Sequence, residues 1–165
     1  DFILGQYEML GESIQLHSDD GFAYSVCNEL KQQQMIEADF SEFSKTRSFG
    51  IAIRTDEKME KGYFLRFEPF YNRIVFDMWP RERIGEFQWQ ISGDKPQIIE
   101  LERPFDYSIS DRIHVKILIE NDILCAYFND RVAMTTRIYN HTHGKLGFFA
   151  DEGSVRISNI KLIRR

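Results

Sequence analysis

Alternation of apolar and polar residues with a period of two is the feature that most constrains the fold of this chain. At residues 113–119, for example, isoleucine or valine occupies every second position. Successive side chains of an extended chain point to opposite sides, so this pattern predicts strands with one buried face. The predicted strands lie in residues 13–18, 21–28, 35–40, 48–56, 63–68, 73–79, 85–92, 112–122, 123–130, 131–136, 144–153 and 155–163.

Short strands separated by turn residues predict an all-β sandwich of two antiparallel sheets. Residues 123–136 favour a hairpin, because Asn129-Asp130 suits a tight turn. Residues 28–43 are the exception, since they are rich in helix formers. Their apolar residues fit a helical stripe only in part, so we prefer a strand over residues 35–40 and leave a short helical turn open. Without a repeat or linker, residues 1–165 form one domain.

Composition excludes several classes of partner. Fourteen Phe, seven Tyr and two Trp among 165 residues can build a sizeable core. A net charge of −5 argues against a nucleic-acid partner, and no apolar run approaches the ~20 residues of a membrane span. Because the chain begins at Asp1 without an initiator Met, we expect it to be a piece of a larger protein. Its location, extracellular or cytoplasmic, would follow that parent.

No cofactor or metal site is predicted. The scattered glycines form no phosphate-binding loop. Cys27 and Cys125 are interpreted as two separate thiols, with one disulfide as the alternative. His141 and His143 share a side of an extended chain but lack a third ligand. The oxygen-rich turns at residues 18–21 and 150–153 would suit calcium, to which we do not commit.

A catalytic interpretation rests on one carboxylate pair. Glu37 and Asp39 lie two residues apart on one face of a predicted strand, as a glycosidase pair would require. Ile36, Ala38 and Phe40 occupy the opposite face, so an ordinary solvated face explains the pair. We therefore predict that this domain is not an enzyme.

Paired charges interrupt two strands that otherwise resemble buried ones. In YFLRFEPFYNRIVFDMWPR, residues 63–81, Arg66 and Glu68 share one side of the first strand. Arg73 and Asp77 share one side of the second. Two interpretations are open: a polar ligand site, or ion pairs on a solvated sheet face that contribute well under ~1 kcal/mol each.

The resemblance to a known family lies in residues 38–77 and 129–162. The second segment contains Asn129-Asp130, Ala133-Met134-Thr135, Arg137, Tyr139, Gly144, Gly147, Phe149, Gly153 and Asn159-Ile160. This series resembles the C-terminal β-sandwich of glycoside hydrolase family 32 enzymes and the levan-binding family 66 carbohydrate-binding modules. The resemblance covers residues 11–162 and implies a concanavalin-like jelly roll.

The resemblance also implies a function. We expect a non-catalytic accessory domain of a fructan- or sucrose-active glycoside hydrolase, whose partners are a fructose-containing carbohydrate and the catalytic domain of the parent chain. The domain would bind the sugar weakly or shape the rim of the hydrolase active site. The alternatives are a purely structural or protein-interaction sandwich and a small glycosidase or lyase.

The predicted ligand-binding residues combine planar charged groups with aromatic rings, the two devices that recognise sugar hydroxyls and C–H faces. They are Arg54, Arg66, Glu68, Arg73, Asp77, Trp79, Arg137, Tyr139, Asp151 and Glu152. Arg54, Arg66 and Glu68 are expected to share one orientation on neighbouring strands. Trp79 is either a stacking platform or a core residue, whereas Trp89 alternates with Phe87 and Ile91 and is predicted to be core.

Overall fold

A computed structural model describes residues 6–10, 13–79 and 101–164. The regular elements in these ranges are antiparallel strands, apart from one 3₁₀ turn at Pro69–Tyr71. In the described part of the chain, no helix has the length and apolar character that crossing a membrane requires. The strands are β1 (Gln6–Leu10), β2 (Ser13–Glu29), β3 (Gln33–Ser41), β4 (Ser48–Thr55), β5 (Gly62–Glu68), β6 (Arg73–Trp79), β7 (Leu101–Pro104), β8 (Arg112–Glu120), β9 (Ile123–Phe128), β10 (Val132–Arg137) and β11 (Lys145–Arg164).

The strands form one continuous sheet folded into two layers. In the β3 layer, the order is β10-β9-β8-β3, followed by residues 156–164 of β11. In the β5 layer, residues 145–151 of β11 lead into β4-β5-β6-β7. Strand β2 pairs with β11 in both layers, and β1 pairs with the first part of β2. The predicted two-sheet antiparallel sandwich is confirmed.

Strands β2 and β11 bend from one layer into the other. The β11 register shifts between Asp151 and Gly153, where Glu152 and Gly153 have φ values of 49° and 133°. Gly21 of β2 has φ of 93°. Glycine adopts such angles without the steric cost that a Cβ imposes. The sequence predicted two strands at each of these places, which is wrong, because the bends turn the chain without ending the pairing.

Aromatic side chains join the inner faces of the two layers. The ring centroid of Phe40 in β3 lies 5.3 Å from that of Phe67 in β5 and 5.5 Å from that of Phe49 in β4. The Phe67 centroid is also 5.7 Å from that of Phe128 in β9. Burial of these large side chains is the main favourable term for packing the layers together.

Several local predictions are confirmed. The preferred strand at residues 35–40 lies within β3 rather than in a helical turn. Strands β9 and β10 form the predicted hairpin, and Asn129 and Asp130 have φ of 50° and 53°. Within the predicted strand at residues 155–163, the β11 register against β3 shifts between Ser158 and Lys161. The predicted strand at residues 85–92, which contains Trp89, lies outside the described residues.

Candidate functional site

A cavity of about 300 Å³ opens on the outer face of the β5 layer. Strands β2, β4, β5, β6 and β11 contribute to it, although their residues are far apart in sequence. Its lining residues are Phe22, Ser48, Met59, Phe64, Arg66, Asp77, Trp79, Phe149 and Asp151. Four of them, Arg66, Asp77, Trp79 and Asp151, were predicted from the sequence as ligand-binding residues.

Sheet register explains why these side chains meet. Phe64 of β5 lies opposite Asp77 of β6, and Gly62 of β5 lies opposite Trp79. Arg66 follows Phe64 by two residues and therefore points to the same side. This outer face consequently carries a cation, a carboxylate and an indole on two neighbouring strands.

Apolar rings line another part of the cavity. The ring of Phe149 in β11 stacks on Phe22 of β2, with centroids 5.2 Å apart. Phe64 meets Phe149 edge to face at 5.8 Å. Met59 packs with this group and is buried. An apolar wall beside charged groups is the composition typical of small-molecule sites.

Glycine at position 50 makes this arrangement possible. Gly50 of β4 lies opposite Arg66 on one side and Phe149 on the other. A Cβ on Gly50 would lie 1.9 Å from the carbonyl oxygen of Leu65 and 3.1 Å from Cζ of Phe149. A larger residue would push neighbouring strands apart, so glycine maintains the close approach of β4 and β5.

Ion pairs hold the charged side of the site. The carboxylate of Glu68 accepts hydrogen bonds from Nε of Arg66 and Nε of Arg73, both at 2.6 Å. The Nη1 atom of Arg66 lies 3.8 Å from Oδ2 of Asp77. Arg73 also contacts Glu102 at 3.0 Å. Glu68 thus orients Arg66 through its Nε atom. The terminal nitrogens of the Arg66 guanidinium lie toward Asp77.

Tyr107 anchors the same ion pairs to the backbone. Its hydroxyl donates to the carbonyl of Arg73 at 2.7 Å and accepts from the amide of Glu68 at 3.1 Å. Burial raises the pKa of Tyr107 well above its ordinary value. The hydroxyl therefore stays protonated at neutral pH and is able to donate to the carbonyl of Arg73.

Asp151 lies at the bend of β11 on the far side of the cavity. Its carboxylate accepts hydrogen bonds from Arg47 at 2.7 Å and from Ser48 at 3.2 Å. The hydrogen bond to Asp151 raises the pKa of Arg47. Arg47 also contacts Glu152 at 3.0 Å. The predicted pair Asp151 and Glu152 is therefore divided, because Asp151 lines the cavity and Glu152 lies beside it.

Arg54 occupies a different place from the one predicted. It is 2% exposed, and its guanidinium donates to the carbonyls of Asn121, Ile138 and His141. The expectation that Arg54 shares an orientation with Arg66 and Glu68 is wrong. Arg54 has φ of 55° and lies at the register shift between β4 and β11, so a bulge turns its side chain away from the outer face.

Arg137 and Tyr139 do not line the cavity. Arg137 ends β10, at the outer edge of the β3 layer, and pairs with Asp122 at 2.9 Å. Its guanidinium carbon lies 6.0 Å from the ring centroid of Tyr139. Arg73 does not line the cavity itself, but it binds Glu68, which in turn binds the lining residue Arg66.

Sequence reasoning missed the apolar lining and Arg47. Phe64 lies two residues before Arg66, so strand alternation places it on the charged side, which is a signal for its role. Phe22 and Phe149 gave no such signal, because each lies in a run where alternate aromatics also fit a buried core. Only the pairing of β11 with both β2 and β4 brings them beside Arg66.

The carboxylate pair considered for catalysis lies on the outer face of the β3 layer. Glu37 contacts Lys161 at 3.3 Å and Lys116 at 3.7 Å. Burial of Asp39 opposes its ionisation, but hydrogen bonds from Arg112, Asn159 and His114 outweigh burial and lower its pKa. A general acid in glycoside hydrolysis needs a raised pKa. Asp39 therefore has the electrostatics of a structural ion pair.

The two cysteines and His141 do not line the cavity. Cys27 and Cys125 are separate, half-buried thiols, as the preferred interpretation predicted. Burial raises the pKa of Cys27. His141 packs edge-on against Tyr63, with ring centroids 5.4 Å apart. Among residues 13–79 and 101–164, no three potential metal-ligating side chains are grouped.

Three solved structures share this architecture. The family 66 carbohydrate-binding module from Bacillus subtilis matches with a TM-score of 0.76 and 14% identity, over 97% of this chain and 92% of its own. A β-fructofuranosidase from Aspergillus kawachii matches with a TM-score of 0.60 and 14% identity, over 97% of this chain and 28% of its own. An exo-inulinase from Aspergillus awamori matches with a TM-score of 0.56 and 14% identity, over 98% of this chain and 29% of its own.

These likenesses confirm the concanavalin-like jelly-roll sandwich. The chain spans less than a third of the two Aspergillus enzymes but almost the whole carbohydrate-binding module. No curated protein sequence matches the chain at a significant level. The sequence model described as glycosyl hydrolases family 32 C terminal matches residues 12–164. The chain therefore belongs to the family of C-terminal domains of family 32 glycosyl hydrolases.

Proposed function

We propose that this domain is a non-catalytic accessory domain that binds a fructosyl unit in the cavity at Arg66, Asp77 and Trp79. The observation that carries the proposal is the convergence of a guanidinium and two carboxylates, Asp77 and Asp151, with aromatic rings around one opening. In its parent chain, the domain would be joined to a catalytic domain that cleaves fructose-containing carbohydrates.

The chemistry of the lining suits a sugar. Guanidinium and carboxylate groups bind neighbouring hydroxyls through two parallel hydrogen bonds, and charged partners strengthen such bonds. Aromatic faces cover the C–H side of a sugar ring. The volume of about 300 Å³ lies at the lower end of the range of small-molecule sites, which fits one sugar unit.

The relatives support the choice of fructosyl units. One is named a carbohydrate-binding module, and two are named a β-fructofuranosidase and an exo-inulinase. The family match is to a domain of hydrolases rather than to their catalytic part. Together these names point to a β-fructofuranoside as the ligand and to binding rather than cleavage.

Glu68 favours a second candidate, a purely structural role. Both of its oxygens are engaged, by Arg66 and by Arg73, and the residue is buried. A chain of ion pairs of this kind needs no ligand. In that case the outer face of the β5 layer would strengthen the sandwich or pack against the catalytic domain.

Affinity electrophoresis separates the two candidates. The domain is run through native gels that contain levan, inulin or a β-glucan. We expect retardation by at least one of the fructans and none by the β-glucan. Unchanged mobility in levan and inulin contradicts sugar binding and leaves the structural role. Release of reducing sugar from these polymers would contradict the non-catalytic assignment.

A further inference from the structure

A second groove, of about 500 Å³, lies beside the cavity and is called here the Tyr71 groove. Its lining includes His17, Lys45, Arg47, Phe70, Tyr71 and Glu152. The corner between β2 and β11, the loop before β4 and the 3₁₀ turn after β5 supply these residues. The function proposed above makes no use of this groove.

Arg47 connects the groove to the cavity. Its Nη2 atom contacts Oδ2 of Asp151 at 2.7 Å, and its Nη1 atom contacts Oε1 of Glu152 at 3.0 Å. Asp151 lines the cavity, whereas Arg47 and Glu152 line the groove. One guanidinium therefore lies between a residue that lines the cavity and a residue that lines the groove.

Two exposed aromatic residues form a wall of the groove. Phe70 and Tyr71 are 66% and 68% exposed. Pro69 begins their turn and Asn72 ends it with φ of 49°, so the backbone holds both rings outward. The guanidinium of Arg73 lies 5.2 Å from the ring centroid of Tyr71. Neighbouring large apolar rings displayed in this way mark interaction sites.

The polar residues of the groove are of both signs. Lys45 and Arg47 supply donors, Glu152 supplies an acceptor, and Nδ1 of His17 lies 2.7 Å from Oγ of Ser154. A wall of mixed donors and acceptors opposite aromatic rings suits a neutral polyhydroxylated ligand. It does not select for a phosphate or a hydrophobic chain.

We propose that the Tyr71 groove is a second glycosyl subsite, which holds the sugar unit linked to the one in the cavity. The ring of Tyr71 packs against the C–H face of that unit, and Arg47 and Glu152 bind its hydroxyls. This inference rests on the proposed function of the cavity. It adds that the domain recognises a chain of at least two units.

A series of ligands of increasing length tests the inference. Fructose and the disaccharide and trisaccharide released from levan and from inulin are titrated into the intact chain, and Kd is measured by NMR. We expect the disaccharide to bind about tenfold more tightly than fructose, the increment of one aromatic contact. Tyr71→Ala should remove this gain without changing Kd for fructose, and Tyr71→Phe should keep it.

Tyr139→Ala is the matched control, because Tyr139 is 62% exposed and also lies near an arginine, but away from both openings. It should leave both Kd values unchanged. Equal Kd values for fructose and disaccharide overturn the inference and leave the proposed function standing. If the double change Phe70→Ala and Tyr71→Ala leaves the disaccharide binding more tightly than fructose by the same factor, the second subsite does not lie in the Tyr71 groove. Absence of binding by every sugar overturns both proposals.

Discussion

Arg66 and Glu68, two residues apart on strand β5, are joined by a hydrogen bond of 2.6 Å that runs along the strand rather than across it. Both side chains point to the outer face, and Arg73 binds the second oxygen of Glu68. Glu68 is therefore neutralised from two sides. Arg66 is oriented by that contact and lines the cavity with Asp77.

Arg66→Met should abolish most of the sugar affinity while the domain stays folded. The change keeps an apolar stem but removes the donors that charge-assisted hydrogen bonds require, each contributing about 1.5–3 kcal/mol. We expect Kd for the fructan that binds to rise at least about tenfold. Arg137→Met is the control, since Arg137 is also ion-paired but lies away from the cavity. Calorimetry measures Kd for both variants. Equal losses of sugar affinity in the two would exclude a specific role for Arg66.

Trp79 should report binding by fluorescence. Its indole lines the cavity and is 53% exposed, so a bound sugar would replace water around it and shift its emission to shorter wavelength. Trp79→Phe should eliminate the change. Trp89→Phe should retain it, because the sequence predicts Trp89 to be core. A signal that follows Trp89 instead would place the ligand elsewhere.

Gly50→Ala should be strongly destabilising. The added methyl group would lie 1.9 Å from the carbonyl oxygen of Leu65, which belongs to the backbone and cannot rotate away. We expect the free energy of unfolding to fall by about 3 kcal/mol or more, as in severe overpacking. Gly21→Ala is the control: nothing lies within 4 Å of its new methyl group, and only the strain of φ at 93° remains, roughly 1–2 kcal/mol. Urea unfolding measures the free energy of unfolding of both variants. A smaller loss of this free energy for Gly50→Ala than for Gly21→Ala contradicts the packing argument.

The surroundings of Asp39 predict a pH dependence of stability. Its pKa is lower in the folded protein than in the unfolded chain, so the ionised carboxylate stabilises the fold. This contribution is fully present above the ordinary aspartate pKa of ~3.9 and is lost as the pH falls through the lower, folded-state pKa.

Asp39→Asn should therefore lower the free energy of unfolding at pH 7, by about 1–3 kcal/mol. The difference from the unmodified protein should shrink as the pH falls below the ordinary aspartate pKa. The exposed Asp20 provides the control, and Asp20→Asn should have little effect at either pH. Urea unfolding at several pH values measures this difference in the free energy of unfolding. A difference that stays constant with pH would mean that the charge of Asp39 does not stabilise the fold.

That Arg66 shares a side with Glu68, and Arg73 with Asp77, followed from sequence alone. Side chains alternate along any extended strand, so each local run placed its two charges on one side of its own strand. The register of β5 with β6 then brought the two pairs onto one face. The turn propensity of Asn129-Asp130 located the β9–β10 hairpin. Alternation located the strand in β3, where helix propensity gave way to burial of Ile36, Ala38 and Phe40.

Only the tertiary structure decided which of those charges meet an opening. Asp151, Phe22 and Phe149 reach the cavity because β11 pairs with β2 on one side and β4 on the other, and those partners are distant along the chain. Arg54 was lost from the face because one bulge reversed a side chain that alternation alone would have kept there. Alternation is a property of neighbouring residues, whereas register, bulges and bends depend on how the whole sheet folds over its core.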